Sequence, residues 1–136
     1  MCVLRFSVVF ALLASASASA HACPVPDDWT AMQVENARTS TVALKLPATP
    51  VQTGEPFAID ILVCSERPTA AGKLKLDATM PAHRHGMNYR PEIEKLDGNM
   101  FRGTGMFFHM PGQWQISVDI ASGDQVERFL LMVPAR

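Results

Sequence analysis

From residue 41 onward the chain alternates. Val42, Leu44 and Leu46 are separated by Ala43 and Lys45, and the segment stops at Pro47. Phe57, Ile59, Ile61 and Val63 share one face of a second segment that ends at Cys64, and Leu74, Leu76 and Ala78 alternate with Lys73, Lys75 and Asp77. A period of two with one apolar and one polar face predicts antiparallel strands buried on one side. Residues 92–96 and 99–108 flank Asp97-Gly98, a dipeptide that readily takes the positive φ angles of a tight hairpin turn. Trp114, Ile116, Val118 and Ile120 alternate with Gln113, Gln115, Ser117 and Asp119, and Ser122-Gly123-Asp124 turns the chain into residues 126–133. Residues 21–40 are polar and irregular, with room for at most a short helical turn over residues 29–37. Short strands separated by regular turn signals, with no long helix, predict an all-β fold. The expected architecture is an immunoglobulin-like antiparallel β-sandwich of six or seven strands, with a closed barrel as the alternative.

The first twenty residues follow a different rule. Arg5 supplies a positive start, residues 6–13 an apolar run, and Ala18-Ser19-Ala20 a small-residue cleavage site, so residues 1–20 read as a secretory signal peptide and the mature chain as beginning at His21. The run is too short to span a membrane, and no later stretch of about 18 apolar residues follows, so no membrane span is expected. The expected location is periplasmic or secreted. Cys2 leaves with the signal, and two remaining thiols, Cys23 and Cys64, form one disulfide most simply in an oxidising compartment. It would close a loop of roughly 40 residues, worth on the order of 4 kcal/mol in the chain-entropy account. The chain thus divides into the signal peptide, an extension over residues 21–39 tied by Cys23–Cys64, and a domain over residues 40–136. A degenerate lipobox, Ala20-His21-Ala22 before Cys23, is the rival reading and would make Cys23 a lipidated N-terminus.

Composition excludes more than it selects. Twelve Lys and Arg stand against 13 Asp and Glu, a net charge of −1 over 136 residues, which excludes nucleic-acid binding driven by a basic face. The 48% hydrophobic fraction with 10 Pro and 8 Gly excludes both a disordered chain and a long-helix protein. No G-x-S-x-G, glycine-rich phosphate loop or H-E-x-x-H is present.

Candidate chemistry is concentrated in Met80-Pro-Ala-His83-Arg-His85-Gly-Met87 and Met106-Phe-Phe-His109-Met110-Pro-Gly112, which hold three of the four His and four of the eight Met. Imidazole and thioether together are poor ligands for Mg²⁺ or Ca²⁺ and suit copper, with thioether favouring Cu(I). His83 and His85 would lie on one side of an extended segment, with Gly86 letting the chain turn back so that Met87 follows. His109 and Met110 would point to opposite faces of a strand unless the turn at Pro111-Gly112 starts there. Met80 is a candidate weak axial ligand, Met100, Met106 and Met132 are expected core filler, and Trp29, Trp114 and Phe57 expected core aromatics. Zinc on the three His is the alternative metal, but would leave the Met residues without a purpose. The α-amine and imidazole of His21 form a further candidate Cu(II) chelate.

Residues 78–87, Pro91, Asp97-Gly98, Phe101-x-Gly103 and Met110-Pro-Gly-Gln-Trp114 resemble the YtkA-like domain family, over roughly residues 40–134. The resemblance implies an exported immunoglobulin-like sandwich associated with copper handling or with respiratory-oxidase assembly and efflux components. Arg84 stands where that pattern suggests a small residue, and His109 is an additional candidate ligand. The function expected is a non-enzymatic periplasmic copper carrier or buffer binding through His83, His85, Met87, His109 and Met110, handing copper to a cuproprotein or oxidase-assembly partner. The alternatives are a metal-free β-sandwich interaction module of an envelope or oxidase-assembly system, and a copper-dependent oxidase using His21, His83 and His109.

Overall fold

In the strand over residues 41–45, Val42 and Leu44 turn inward while Thr41 and Lys45 turn to solvent, and the same division recurs in the longer strands. A computed structural model describes residues 23–36 and 39–136, so the expectations for residues 1–20, for cleavage after Ala20 and for His21 lie outside the described residues. The strands are β1 (Thr30–Ala31), β2 (Gln33–Val34), β3 (Thr41–Lys45), β4 (Pro56–Cys64), β5 (Leu74–Met80), β6 (His85–Gly86), β7 (Glu92–Lys95), β8 (Met100–Phe107), β9 (Gly112–Ser122) and β10 (Gln125–Ala135), with one 3-10 turn at Ala71–Lys73. They form two five-stranded sheets, in the orders β1-β3-β4-β8-β7 and β2-β10-β9-β5-β6, and all the strand pairings are antiparallel. The fold is an all-β sandwich. Seven of the strands are four residues or longer, in keeping with the expected six or seven, and β1, β2 and β6 are two-residue additions.

The core lies between the inner faces. Ile59, Ile61 and Phe101 from the first sheet meet Trp114, Ile116, Val118 and Phe129 from the second, each no more than 1% exposed. Burying a side chain of this kind contributes roughly 1.5–3 kcal/mol, and this is the main force holding the sheets together. The outer faces are exposed and mix polar side chains with apolar ones such as Val126 and Met132. On β9 the outward Asp119 is covered by Arg128 from the facing position of β10, whose Nε and Nη2 donate to its two carboxylate oxygens at 2.7 Å each. That hydrogen bond and the carboxylate charge hold the Arg128 guanidinium still further above its ordinary range.

Three sequence expectations need correction. Residues 30–34 form strands rather than a helical turn: β1 adds to β3 of one sheet and β2 to β10 of the other. The extension therefore borders both sheets, and two-residue strands with exposed side chains leave no alternation to read. Met100 and Met132 are 36% and 48% exposed instead of filling the core. Each precedes a buried residue (Phe101 and Val133), and strand alternation turns it outward. Met106 is fully buried, as expected.

The extension is fixed at its start by the Cys23–Cys64 disulfide, which joins it to the last residue of β4 with a Cα–Cα separation of 5.8 Å. Asp28 adds an ion pair with Lys45 at 2.6 Å, and the ammonium's hydrogen bond holds the Asp28 carboxyl below its usual range. Both side chains are exposed, so the disulfide is the stronger tether. With its cysteines 41 positions apart in sequence, the double replacement Cys23→Ser/Cys64→Ser is expected to lose about 4 kcal/mol of unfolding free energy in denaturant titration. A loss below about 1 kcal/mol would show that the extension's strands hold it without the covalent link.

Candidate functional site

Thr79 lies opposite Gln115, so the last residues of β5 and the first of β9 meet at one end of the sandwich. At that end β5 turns back into β6 through residues 81–84, with Met80 opposite His85. The Met80 carbonyl accepts hydrogen bonds from both His83 N–H, at 3.0 Å, and Arg84 N–H, at 2.9 Å. Arg84 closes the loop with φ 55°. The reversal is therefore made by Pro81 to Arg84 and not at Gly86, which lies within β6. His83 sits in the loop, not on an extended segment. The closeness of its ring to that of His85, 5.8 Å between centres, comes from the turn.

Residues directly opposite each other in an antiparallel pair share a face. Met80 faces the core at 2% exposure, which puts His85 on the inner side as well, at the open end. Met87 follows on that same side, half-buried against the core, with its N–H donating to the Ala78 carbonyl at 3.0 Å. Thus His85 and Met87, rather than His83 and His85, are the pair that share one side of the extended chain here.

The second cluster arrives from the other sheet. β8 ends at Phe107 and β9 begins at Gly112, leaving residues 108–111 as a turn. Phe108 is fully buried, and its carbonyl accepts from Gly54 N–H at 2.9 Å. This directs the exposed His109 over the end of the sandwich, its ring 4.9 Å from that of His85. Met110 is half-buried against the core margin. Gly112 has φ 132°, and a Cβ there would lie 2.3 Å from the terminal methyl of Met80, so no larger residue fits without displacing Met80. Met80 is thus a strut between the two loops rather than an exposed axial ligand.

Beneath the imidazoles lies Trp114, fully buried, with its ring centre 5.7 Å from His85 and 5.3 Å from His109, both in edge-to-face contact. Sequence reasoning assigned Trp114 to the core alone. An inward residue of an alternating strand gives no sign that it also touches a neighbouring loop.

The structure brings His83, His85 and His109 together, with Met87 and Met110 at the edge of the same end. An ion 2.0–2.1 Å from an imidazole nitrogen lies about 3 Å from the ring centre, so two rings sharing it have centres about 5 Å apart. The 4.9 and 5.8 Å spacings match that distance. Among the described residues, no group of three or more His, Cys, Asp or Glu is placed to hold a metal ion. A metal would therefore need the exposed rings of His83 and His109 to rotate, or the thioethers to join. Among the described residues, Nδ1 of His85 is the one buried side-chain nitrogen or oxygen without a hydrogen-bond partner. Burying such an atom unpaired is unfavourable. Two open clefts, of about 500 and 660 Å³, lie away from these residues, and no histidine lines either.

The fold and this end define an all-β sandwich with a histidine- and methionine-bearing rim. The chain matches no protein-family model, no curated protein and no solved structure.

Arg84 provides a direct test of the loop. A non-glycine residue in the left-handed region costs roughly 1–2 kcal/mol, partly offset by the greater freedom glycine has when unfolded. Arg84→Gly is expected to stabilise the protein by about 0.5–1 kcal/mol in urea unfolding. Lower stability would mean that the Arg84 side chain makes a contact worth more than the strain.

Proposed function

We propose that the protein is an exported copper-binding carrier or buffer that holds one ion at the end of the sandwich through His83, His85 and His109, with Met87 and Met110 as thioether ligands. The observation that carries the reading is the buried, unpartnered Nδ1 of His85, whose ring lies between those of His83 and His109; in the Nε2–H tautomer its lone pair is free for an ion. The ring spacings support it, as does the mixture of imidazole and thioether, which suits copper better than hard cations. The rim is partly open: His83 and His109 are exposed while His85, Met87 and Met110 are half-buried. An open rim of this kind suits ligand exchange with a cuproprotein or oxidase-assembly partner better than permanent storage. The resemblance to YtkA-like domains points the same way, and a secretory signal over residues 1–20 together with the disulfide accords with a periplasmic location.

The purified protein is expected to retain one equivalent of copper in competition with a chromogenic Cu(I) chelator. His83→Ala/His85→Ala is expected to lose that copper with an unchanged β-sheet circular dichroism spectrum. Stoichiometric copper retained by the double variant would refute the site. No copper held by the parent protein would refute the function and favour a metal-free interaction module, whose rim would then be tested by partner capture.

A further inference from the structure

We infer that Trp114 is a positioning residue that gives the rim its ion preference, favouring monovalent copper over divalent zinc or copper; the inference rests on the copper-binding reading. Trp114 stands where the two loops meet. Its Nε1–H donates to the Met110 carbonyl at 3.0 Å, which fixes the turn carrying His109 and Met110. Its ring edge-packs against His85 at an interplanar angle of 66° and against His109 at 81°. Phe108 stacks on it at 4.5 Å and 5° and keeps the indole from rotating. One side chain therefore holds an imidazole from each loop and the backbone beside a candidate thioether.

The consequence for selectivity follows from what Trp114 is made of. On the side facing the core the rim is closed by a fully buried indole whose single polar atom is already committed to Met110. The indole itself offers an ion no oxygen donor from that side. Zinc in proteins takes four donors from thiolate, imidazole and carboxylate, of which this rim offers only the imidazoles, and Cu(II) favours square-planar or tetragonal nitrogen and oxygen donors. Cu(I) accepts fewer, softer donors, which the two or three imidazoles and the adjacent thioethers provide. Groups that orient metal ligands without binding the ion typically change affinity by about 10–100-fold when removed.

The test compares the intact protein with Trp114→Phe, which keeps an aromatic ring but removes the Nε1 donor and half the wall. Two readouts are taken: the proton shifts of the His85 and His109 rings without metal, and the ratio of Cu(I) to Zn(II) affinity by chelator competition. In the parent protein the indole should displace the imidazole proton shifts by its ring current. In Trp114→Phe those displacements should shrink, and the Cu(I):Zn(II) ratio should fall by about tenfold or more. If Trp114→Phe does not fold, Phe108→Leu carries the same test, since it frees the indole to rotate while leaving it and both imidazoles in place. Unchanged shifts and an unchanged ratio in a protein that does bind copper would overturn the positioning role alone. A parent protein that binds neither ion would overturn the copper reading and the ion preference together. A role confined to stability would lower the melting temperature without moving either readout.

Discussion

The stack of Trp114 on Phe108 joins the exit of β8 in one sheet to the entry of β9 in the other. An aromatic pair of this kind adds about 0.5–1.5 kcal/mol beyond its area burial. Its larger effect here is geometric. With both rings fully buried, the turn between them has little freedom, and the hydrogen bond from the indole to Met110 removes part of what is left. Gly112 gives way to the Met80 methyl beneath that turn, and Met80 fixes the pairing position of His85 across the hairpin. The rim histidines are thus placed by the hydrophobic core. A carrier needs rim groups that can move during transfer, and those that are exposed, His83 and His109, stand on a rigid floor.

The rest of the molecule keeps that floor in place. Each outer face carries an ion pair across neighbouring strands, Arg128 with Asp119 on one sheet and Arg102 with Asp60 on the other. The Arg102–Asp60 pair is the more open of the two and contributes little, whereas Asp119 is buried beneath Arg128 and held by two hydrogen bonds. The extension clips onto both sheets and is tied to β4 by the disulfide. The disulfide leaves Cys23 and Cys64 out of any metal chemistry, and the candidate ligands that the described residues gather at the rim are imidazole and thioether.

The sequence was a good guide wherever burial imposed a period. β3, β4, β5, β9 and β10 follow the alternation within a residue or two of the expected limits, because their inward side chains face one continuous core. The Asp97-Gly98 hairpin was legible for a local reason, Gly98 taking φ 59°. The two clusters that bear histidine and methionine were also legible, because rare residue types gathered there. The approach of His109 to His85 was not: the turn at Pro111-Gly112 could be read, but the approach also depends on β9 lying beside β5, a pairing distant in sequence that has no local signature. The loop conformation was misread for a related reason. Glycine was the expected hinge, yet the left-handed residue is Arg84, held by two hydrogen bonds to Met80. Trp114 gave no hint of its second role, since a core residue and a wall of the site look alike in an alternating strand.

The central claim is that one ion is held at this end by imidazole and thioether together. X-ray absorption at the copper edge of the Cu(I)-loaded protein tests it most directly. The account predicts two or three nitrogen scatterers at about 2.0 Å and one or two sulfur scatterers at about 2.3 Å, and no bound copper to give this spectrum in His83→Ala/His85→Ala. A shell of oxygen and nitrogen alone would contradict the part assigned to Met87 and Met110, and a spectrum unchanged by the double substitution would place the ion elsewhere on the protein.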